Sequence, residues 1–264
     1  MPSHDALRTV SIDYSEAGLA VVTINSPPVN ALSEEVIADL STAFTVLEHA
    51  KGVRVVILTG HGSRAFVAGA DLNVLSRKNP DSLSSFLTAI HNTFNRIEVF
   101  PKPVICAINS HTIGNGCELA MVCDIRIASE EATFLFPECR LGVVSAGGAT
   151  QRLPRLIPLG RALYYFFTAA KISAREALEV GLIDFVVPAA ELLPTARQVA
   201  RAIAANAPQT ISVIKRLIKS GLSMPINEAL EMELEHCIAM FRTEEPIEGI
   251  TAYLEKRIPV FRQR

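Results

Sequence analysis

The sequence lacks the features of a membrane-bound or exported protein. None of its apolar runs approaches the roughly 18 residues that a membrane-spanning helix requires. Its first residues do not combine a basic segment with a following apolar one, as a secretory signal would. We therefore expect a protein that has no membrane partner.

The sequence also lacks a large excess of charge of either sign. Its 25 Lys and Arg residues nearly balance 27 Asp and Glu residues, which gives a formal net charge of −2. A basic excess is the usual electrostatic basis for binding nucleic acid or an anionic membrane surface. The composition thus argues against a nucleic-acid partner.

Neither the cysteines nor the histidines have the spacing of a metal site. The five cysteines are odd in number and include no Cys-x-x-Cys pair, and the six histidines include no His-Glu-x-x-His motif. We expect no metal, no disulfide framework and a reducing compartment, which we take to be the cytoplasm.

The chain does have enough apolar residues for a large core, since 49% of its 264 residues are hydrophobic. Buried strands are predicted at residues 19–24, 53–58 and 104–108. After Ser33, apolar residues recur at helical spacing, which predicts a helix capped by that serine. Another helix is predicted at residues 86–97, and shorter strands at residues 124–128, 132–136 and 183–187.

The last third of the chain is helical in pattern. Residues 192–205 and 210–219 predict helices, and Pro225 is suited to begin another. Strands followed by helices indicate an α/β fold. We predict an α/β core over residues 1–195 and a helical C-terminal region over residues 196–264.

Two common catalytic motifs are incomplete. Gly114-x-Gly116 is not a dinucleotide-binding fingerprint, because Leu119 stands where the third glycine should be. Ser145 does not form a nucleophile elbow, because Val143 replaces the glycine that should precede it.

Three glycine-containing loops are the candidate ligand sites, because each follows or joins predicted strands. They cover residues 64–71, 109–118 and 134–152. Their small residues allow a ligand to approach the backbone closely. In the first loop, the alternative is a plain strand-to-helix turn in which Asp71 only caps the helix.

Two glutamates in these loops could act together. Glu118 falls in the first turn of an otherwise apolar helix, which suggests a buried carboxylate with a function. The alternative is a favourable interaction with the helix dipole. Glu138 follows an apolar strand, so the two carboxylates could form an acid/base pair. Their spacing alone leaves these interpretations open.

A series of short motifs runs along nearly the whole chain. They are Phe66-Val-Ala-Gly-Ala-Asp71, Gly114-Asn-Gly-Cys-Glu-Leu-Ala120, Cys123-Asp124, Phe136-Pro-Glu138, Leu141-Gly142, Gly147-Gly-Ala-Thr-Gln-Arg-Leu-Pro154, Ala174–Ile183 and Glu248–Arg257. Together they resemble the crotonase superfamily, and most closely the enoyl-CoA hydratases within it.

The resemblance implies a fold of repeated ββα units wound into a spiral, completed by a C-terminal helical trimerisation region. It implies a CoA thioester substrate and no cofactor, since CoA is part of the substrate. It also implies a homo-oligomer, either a trimer or a dimer of trimers. Apolar residues of the C-terminal region also indicate an interface between subunits, because a thin helical region cannot bury them by itself. They are Ile211, Ile214, Leu217 and Ile218.

The resemblance also assigns roles to individual residues. The backbone N–H groups of Ala70 and Asn115 match an oxyanion hole that grips the thioester oxygen. The other positions assigned to substrate or CoA binding are Ala68, Asp71, Leu72, Ala146 and Lys256.

Three positions depart from the family pattern. Asn115 replaces the middle residue of a Gly-Gly-Gly turn, so we expect only its backbone N–H to act while its side chain reshapes the acyl pocket. Asn73 replaces a lysine that often follows the Asp. The usual Pro-Gly-Ala-Gly-Gly turn is Ser145-Ala-Gly-Gly-Ala149 here, and Ala146 replaces a glycine whose amide helps to place the catalytic water.

Glu118 and Glu138 match the two glutamates of the hydratases. Having both favours the reversible addition of water to a 2-enoyl-CoA. One alternative is a Δ3,Δ2-enoyl-CoA isomerase, in which Glu138 alone moves the proton. Another is a crotonase-fold binding or scaffold protein with little turnover, against which the balanced charge and the glutamate pair both count.

Overall fold

A computed structural model describes residues 7–261. Within this range the strands form a six-stranded sheet and a four-stranded sheet. The strands are β1 Val10–Asp13, β2 Gly18–Ile24, β3 Val53–Gly60, β4 Ala65–Val67, β5 Val104–Ile108, β6 His111–Ile113, β7 Ile125–Ser129, β8 Thr133–Leu135, β9 Ile172–Ser173 and β10 Phe185–Val187.

The helices surround the two sheets and make up most of the carboxyl-terminal half. As predicted, Ser33 caps the first of them by accepting a hydrogen bond from the N–H of Val36. They are α1 Glu34–His49, α2 Leu72–Leu75, α3 Pro80–Glu98, α4 Asn115–Val122, α5 Glu138–Leu141, α6 Ala149–Leu156, α7 Leu159–Thr168, α8 Ala174–Val180, α9 Leu192–Ala204, α10 Pro208–Gly221, α11 Ile226–Met240 and α12 Glu244–Leu254. None of the helices in residues 7–261 is both long and apolar enough to cross a bilayer.

The chain alternates between the two sheets, which confirms the predicted spiral of ββα units. The first sheet has the strand order β1-β2-β3-β5-β7-β10, and the second has the order β4-β6-β8-β9. Successive units thus place β3, β5 and β7 side by side in parallel in the first sheet, and β4, β6 and β8 side by side in parallel in the second. Because parallel strands end at the same edge, the segments after β4, β6 and β8 meet there.

Two apolar layers hold the first sheet. On one face, a large cluster includes Phe44 of α1 and Phe94 of α3. On the other face, α9 packs Ala196 and Ala200 against strand residues such as Ile57. The predicted boundary between residues 195 and 196 falls inside α9, and the division into two domains stays a prediction.

Candidate active site

Glu118 lies in the first turn of α4 and is fully buried. Its Oε1 atom accepts hydrogen bonds from the backbone N–H groups of Gly147, at 2.9 Å, and Ala149, at 2.8 Å. The side-chain amide of Asn115 donates to its Oε2 atom. Burial raises the pKa of Glu118, and these hydrogen bonds with the charge of Arg152 lower it again in part. The carboxylate is therefore buried and fixed, as its apolar helix suggested.

The turn before α6 reaches Glu118 because it contains glycine. A Cβ atom at Gly147 would overlap Oε2 of Glu118 and lie 2.9 Å from Nδ2 of Asn115. Gly148, the next residue, has a φ of +105°, which favours glycine because a Cβ atom is strained there. Only a residue without a side chain fits against the Glu118 carboxylate at position 147.

Glu138 begins α5 and is half-buried. Its Oε2 atom is buried and has no hydrogen-bond partner among residues 7–261. Burial raises the pKa of Glu138, and the negative charge of Glu118 raises it further. The hydroxyl of Ser145 lies beside the carboxyl and partly offsets the shift, although its geometry is not that of a full hydrogen bond.

The structure brings the two predicted glutamates to one place. Gly114, with a φ of +52°, lets the start of α4 pass close to Glu138, because a Cβ atom there would lie 3.2 Å from Oε1 of Glu138. The two carboxyl groups are near enough for the charge of Glu118 to act on Glu138. Their surroundings differ, since donors surround Glu118 whereas one oxygen of Glu138 has none in the described part of the chain.

Two unpaired backbone donors lie next to this pair. Ala70 forms a parallel bridge with Leu32, in which Leu32 bonds to the flanking groups, the carbonyl of Gly69 and the N–H of Asp71. The N–H of Ala70 therefore points away from Leu32. Across residues 7–261 this N–H donates to no other group, and the same is true of the N–H of Asn115 at the start of α4.

Glycine also lets the two donor segments approach each other. Gly69 has a φ of +84°, and a Cβ atom there would lie 3.1 Å from the carbonyl oxygen of Ile113 and 4.0 Å from the backbone nitrogen of Asn115. A Cβ atom at Gly116 would overlap the carbonyl oxygen of Val67. Two free N–H groups on touching segments are suited to hold one oxyanion.

The other predicted contact residues have simpler surroundings. The N–H of Ala68 donates to the carbonyl of Val29, at 3.2 Å. Asp71 caps α2 by accepting from the N–H of Asn73, at 2.8 Å, so its capping role is present. Leu72 is exposed. The N–H of Ala146 has no acceptor in the described part of the chain.

Lys256 lies apart from these loops in sequence, on the exposed turn that follows α12, with a φ of +54°. Its ammonium group forms no ion pair within residues 7–261. The neighbouring Arg257 instead pairs with Glu248 and Glu255. Two further basic residues of this tail, Arg262 and Arg264, lie outside the described residues.

An apolar cavity of about 290 Å³ opens beside Glu138. It is lined by Val143, Val144, Leu159, Leu163, Phe166 and Phe167 among others. Val143 and Val144 belong to the predicted ligand loop at residues 134–152, whereas the α7 residues were not among the predicted site residues. Apolar residues in α7 that have no place in the core are a signal for such a surface.

Comparisons of the sequence and of the structure identify similar proteins. The family described as Enoyl-CoA hydratase/isomerase matches residues 14–264. A short-chain-enoyl-CoA hydratase of Clostridium acetobutylicum is 42% identical over 92% of this chain and 93% of its own length, and a crotonyl-CoA hydratase of Syntrophomonas wolfei is 38% identical over 92% and 94%. The crystal structure of an enoyl-CoA hydratase from Bacillus anthracis superposes with a TM-score of 0.94 at 36% identity, covering 97% of this chain and all of that one. The chain belongs to the enoyl-CoA hydratase/isomerase family.

Proposed function

We propose that the protein is an enoyl-CoA hydratase, which adds water reversibly to a 2-enoyl-CoA thioester and gives a 3-hydroxyacyl-CoA. The observation that carries the proposal is the pair of glutamates, Glu118 and Glu138, held at one site in unlike surroundings. Relatives named for short-chain and crotonyl substrates suggest a short acyl chain here as well.

The oxyanion hole activates the substrate. Water attacking C3 moves negative charge onto the thioester oxygen, and the N–H groups of Ala70 and Asn115 are preorganised to stabilise that charge. Removing one such donor typically costs about 10²–10³ in rate. The same donors hold the thioester carbonyl so that C2 and C3 lie toward the glutamates.

The two glutamates divide the proton transfers. Burial raises the pKa of Glu118, and its three hydrogen bonds oppose that shift by favouring the ionised form. The ionised carboxylate orients the water and takes a proton from it as the oxygen bonds to C3. Glu138, whose pKa is raised by burial and by Glu118, delivers its proton to C2. The roles reverse for dehydration, and exchange with water returns the proton from Glu118 to Glu138.

The remaining contacts position the CoA and the water. Backbone carbonyl groups near Ala68 and Leu72, in the segment that contains Asp71, bind the adenine of CoA. The free N–H of Ala146 helps to place the catalytic water. Lys256 reaches the CoA phosphate of a neighbouring subunit. This chemistry requires no resident metal or redox cofactor, because the chain itself supplies the acid, the base and the oxyanion donors.

The functional unit is a trimer or a dimer of trimers, assembled through the C-terminal helices. Helices α10 and α11 bury none of their residues fully. Their exposed apolar side chains, among them Ile214, Ile218, Leu230 and Leu234, are typical of an interface. Light scattering of the purified protein tests this, since the mass of one 28.6 kDa chain at micromolar concentration would contradict it.

A reducing compartment, the cytoplasm, is the proposed location. It is supported by the five cysteines, all of which have free thiols, three buried and two exposed. Microscopy of a fluorescent fusion in the source cells tests the location directly.

Incubation with crotonyl-CoA tests the activity. The conjugated-thioester absorbance should fall as 3-hydroxybutyryl-CoA forms. A protein that converts 3-enoyl-CoA into 2-enoyl-CoA without hydrating it would be the isomerase. No turnover of short, branched, long or aromatic enoyl-CoAs would instead favour the binding protein.

A further inference from the structure

The side chain of Asn115 contacts Glu118 rather than the acyl pocket. Asn115 is the first residue of α4 and Glu118 is three residues later, so both lie on one face of the helix. The Nδ2 atom of Asn115 donates to Oε2 of Glu118, whose other oxygen already accepts from two backbone N–H groups. The expectation that only the backbone of Asn115 takes part is therefore incomplete.

The opposite wall of the site leaves room for this contact. The nearest atoms to a Cβ at Gly147 would be those of the Glu118 carboxylate and, at 2.9 Å, Nδ2 of Asn115. A side chain at position 147 would therefore occupy the space in which the Asn115 amide reaches Oε2 of Glu118.

We propose that the Asn115 side chain is a positioning residue that fixes Glu118 where it can accept a proton from the attacking water. This inference rests on the proposed hydratase function. One residue then acts at both ends of the reaction, because its backbone N–H faces the thioester oxygen and its side chain holds the base. The fixed carboxylate keeps the remaining lone pair of Oε2 for the water.

The charged groups near Glu118 show what the side-chain amide of Asn115 contributes to its pKa. Arg152 of α6 is the nearby cation, and it is shared with Glu98 of α3, which it contacts at 2.6 Å. Glu138 of α5 is the nearby acid. A neutral donor from Asn115 favours the ionised form of Glu118 without adding a charge, so losing the donor raises the pKa of Glu118.

Two substitutions separate this role from simple space filling. Asn115→Gly keeps the backbone N–H and removes the amide, and it should lower kcat by about tenfold to a hundredfold with little change in KM, as expected for one hydrogen bond to a charged group. Asn115→Asp keeps the size but removes the donor and adds a negative charge, so it should lose more activity near neutral pH. Asn206→Asp, in the exposed turn after α9, is the matched control.

The pH profile supplies a readout that packing alone would not change. Hydration needs Glu118 ionised, so the acidic limb of kcat/KM should move to higher pH in Asn115→Gly. Gly147→Ala should be less harmful in the Asn115→Gly background than in the wild type, because the released carboxylate can shift away from the new methyl group. Thermal unfolding of each variant checks that it is folded.

A measurement without substrate keeps this inference separate from the proposed function. Infrared difference spectra across a pH titration follow the protonation of Glu118, assigned by its loss in Glu118→Gln. A higher midpoint in Asn115→Gly supports the positioning role whether or not the wild type hydrates crotonyl-CoA. An unchanged midpoint, or an Asn115→Asp protein with wild-type rates and pH profile, would overturn it.

Discussion

The starts of α4 and α5 each carry a glutamate in the first helical turn, directly after a strand of the second sheet, yet they surround its carboxyl in opposite ways. Glu118 is fully buried and has a donor on both oxygens. Glu138 is half-buried, and its Oε2 atom has no partner in the described residues. Both glutamates thus lie at the start of a helix that follows a strand, so the difference comes from elsewhere in the chain.

The difference arises in the turn formed by residues 145–149. Its backbone N–H groups at Gly147 and Ala149 are directed at Glu118, whereas only the hydroxyl of Ser145 lies beside Glu138. Hydrogen bonds to a carboxylate favour its charged form, and burial without them favours the neutral form. This turn therefore supports the roles that we propose, with Glu118 as the base and Glu138 as the acid.

Removing either proton-transfer group should produce the largest effect. Glu118→Gln and Glu138→Gln keep the shape and remove the acid/base chemistry, so each should lower the hydration rate by about 10²–10⁴. Binding of a CoA thioester should change little, which calorimetry with a non-reactive acyl-CoA can check. If Glu118→Gln hydrated its substrate at the normal rate, the two glutamates would not have the different roles that we propose. That result would favour an isomerase in which Glu138 alone moves the proton.

The same two variants should differ in stability. The folded-state pKa of Glu138 is raised, so the free energy of unfolding falls as pH rises from the unfolded pKa through the folded one. Glu138→Gln removes this loss and should stabilise the protein by about 1 kcal/mol at neutral pH, with no gain in acid. Glu118→Gln should gain less stability, because the side-chain amide of the new glutamine faces the side-chain amide of Asn115. Thermal unfolding of both variants at neutral and at acidic pH tests this prediction. An equal gain in stability for the two variants would contradict it.

Much of the fold was predictable because its signals are local. The strands β3 and β5 are continuous apolar runs, and α1 has both a capping serine and helical spacing. In contrast, β4 and β6 are three residues long and lie in segments that looked like loops. They become strands only because β4 pairs in parallel with β6, and β6 pairs in parallel with β8. No local pattern contains this pairing.

The site was predictable in its residues but not in its contacts. Apolar neighbours indicated that Glu118 is buried, and the family motifs supplied Glu138 and the two backbone donors. The donors to Glu118 from residues 147 and 149 depend on how the chain folds back over α4. The spacing of Asn115 and Glu118 did place them on one helix face, so their contact was within reach of the sequence.

Ser145 offers a finer test of the contrast between the glutamates. Its hydroxyl lowers the pKa of Glu138, so Ser145→Ala should raise that pKa and move the basic limb of kcat/KM to higher pH, because Glu138 must be protonated. We expect the rate at neutral pH to change by less than about tenfold, since no full hydrogen bond is lost. Steady-state kinetics across pH measure both effects. A shift of the acidic limb instead would mean that Ser145 acts on Glu118.

Lys256 should produce the smallest effect and should leave both glutamates unchanged. It is exposed at the end of α12, and we propose that it contacts a CoA phosphate across a subunit interface. Lys256→Ala should raise KM about two- to fivefold with little change in kcat, because an exposed charge contact contributes about 0.2–1 kcal/mol and binds substrate and transition state alike. The increase should shrink as salt rises. Lys51→Ala, another exposed lysine, is the matched control. An unchanged KM at low ionic strength would leave Lys256 as a solvated surface residue, and a shift in either pH limb would show that the tail reaches the glutamates after all.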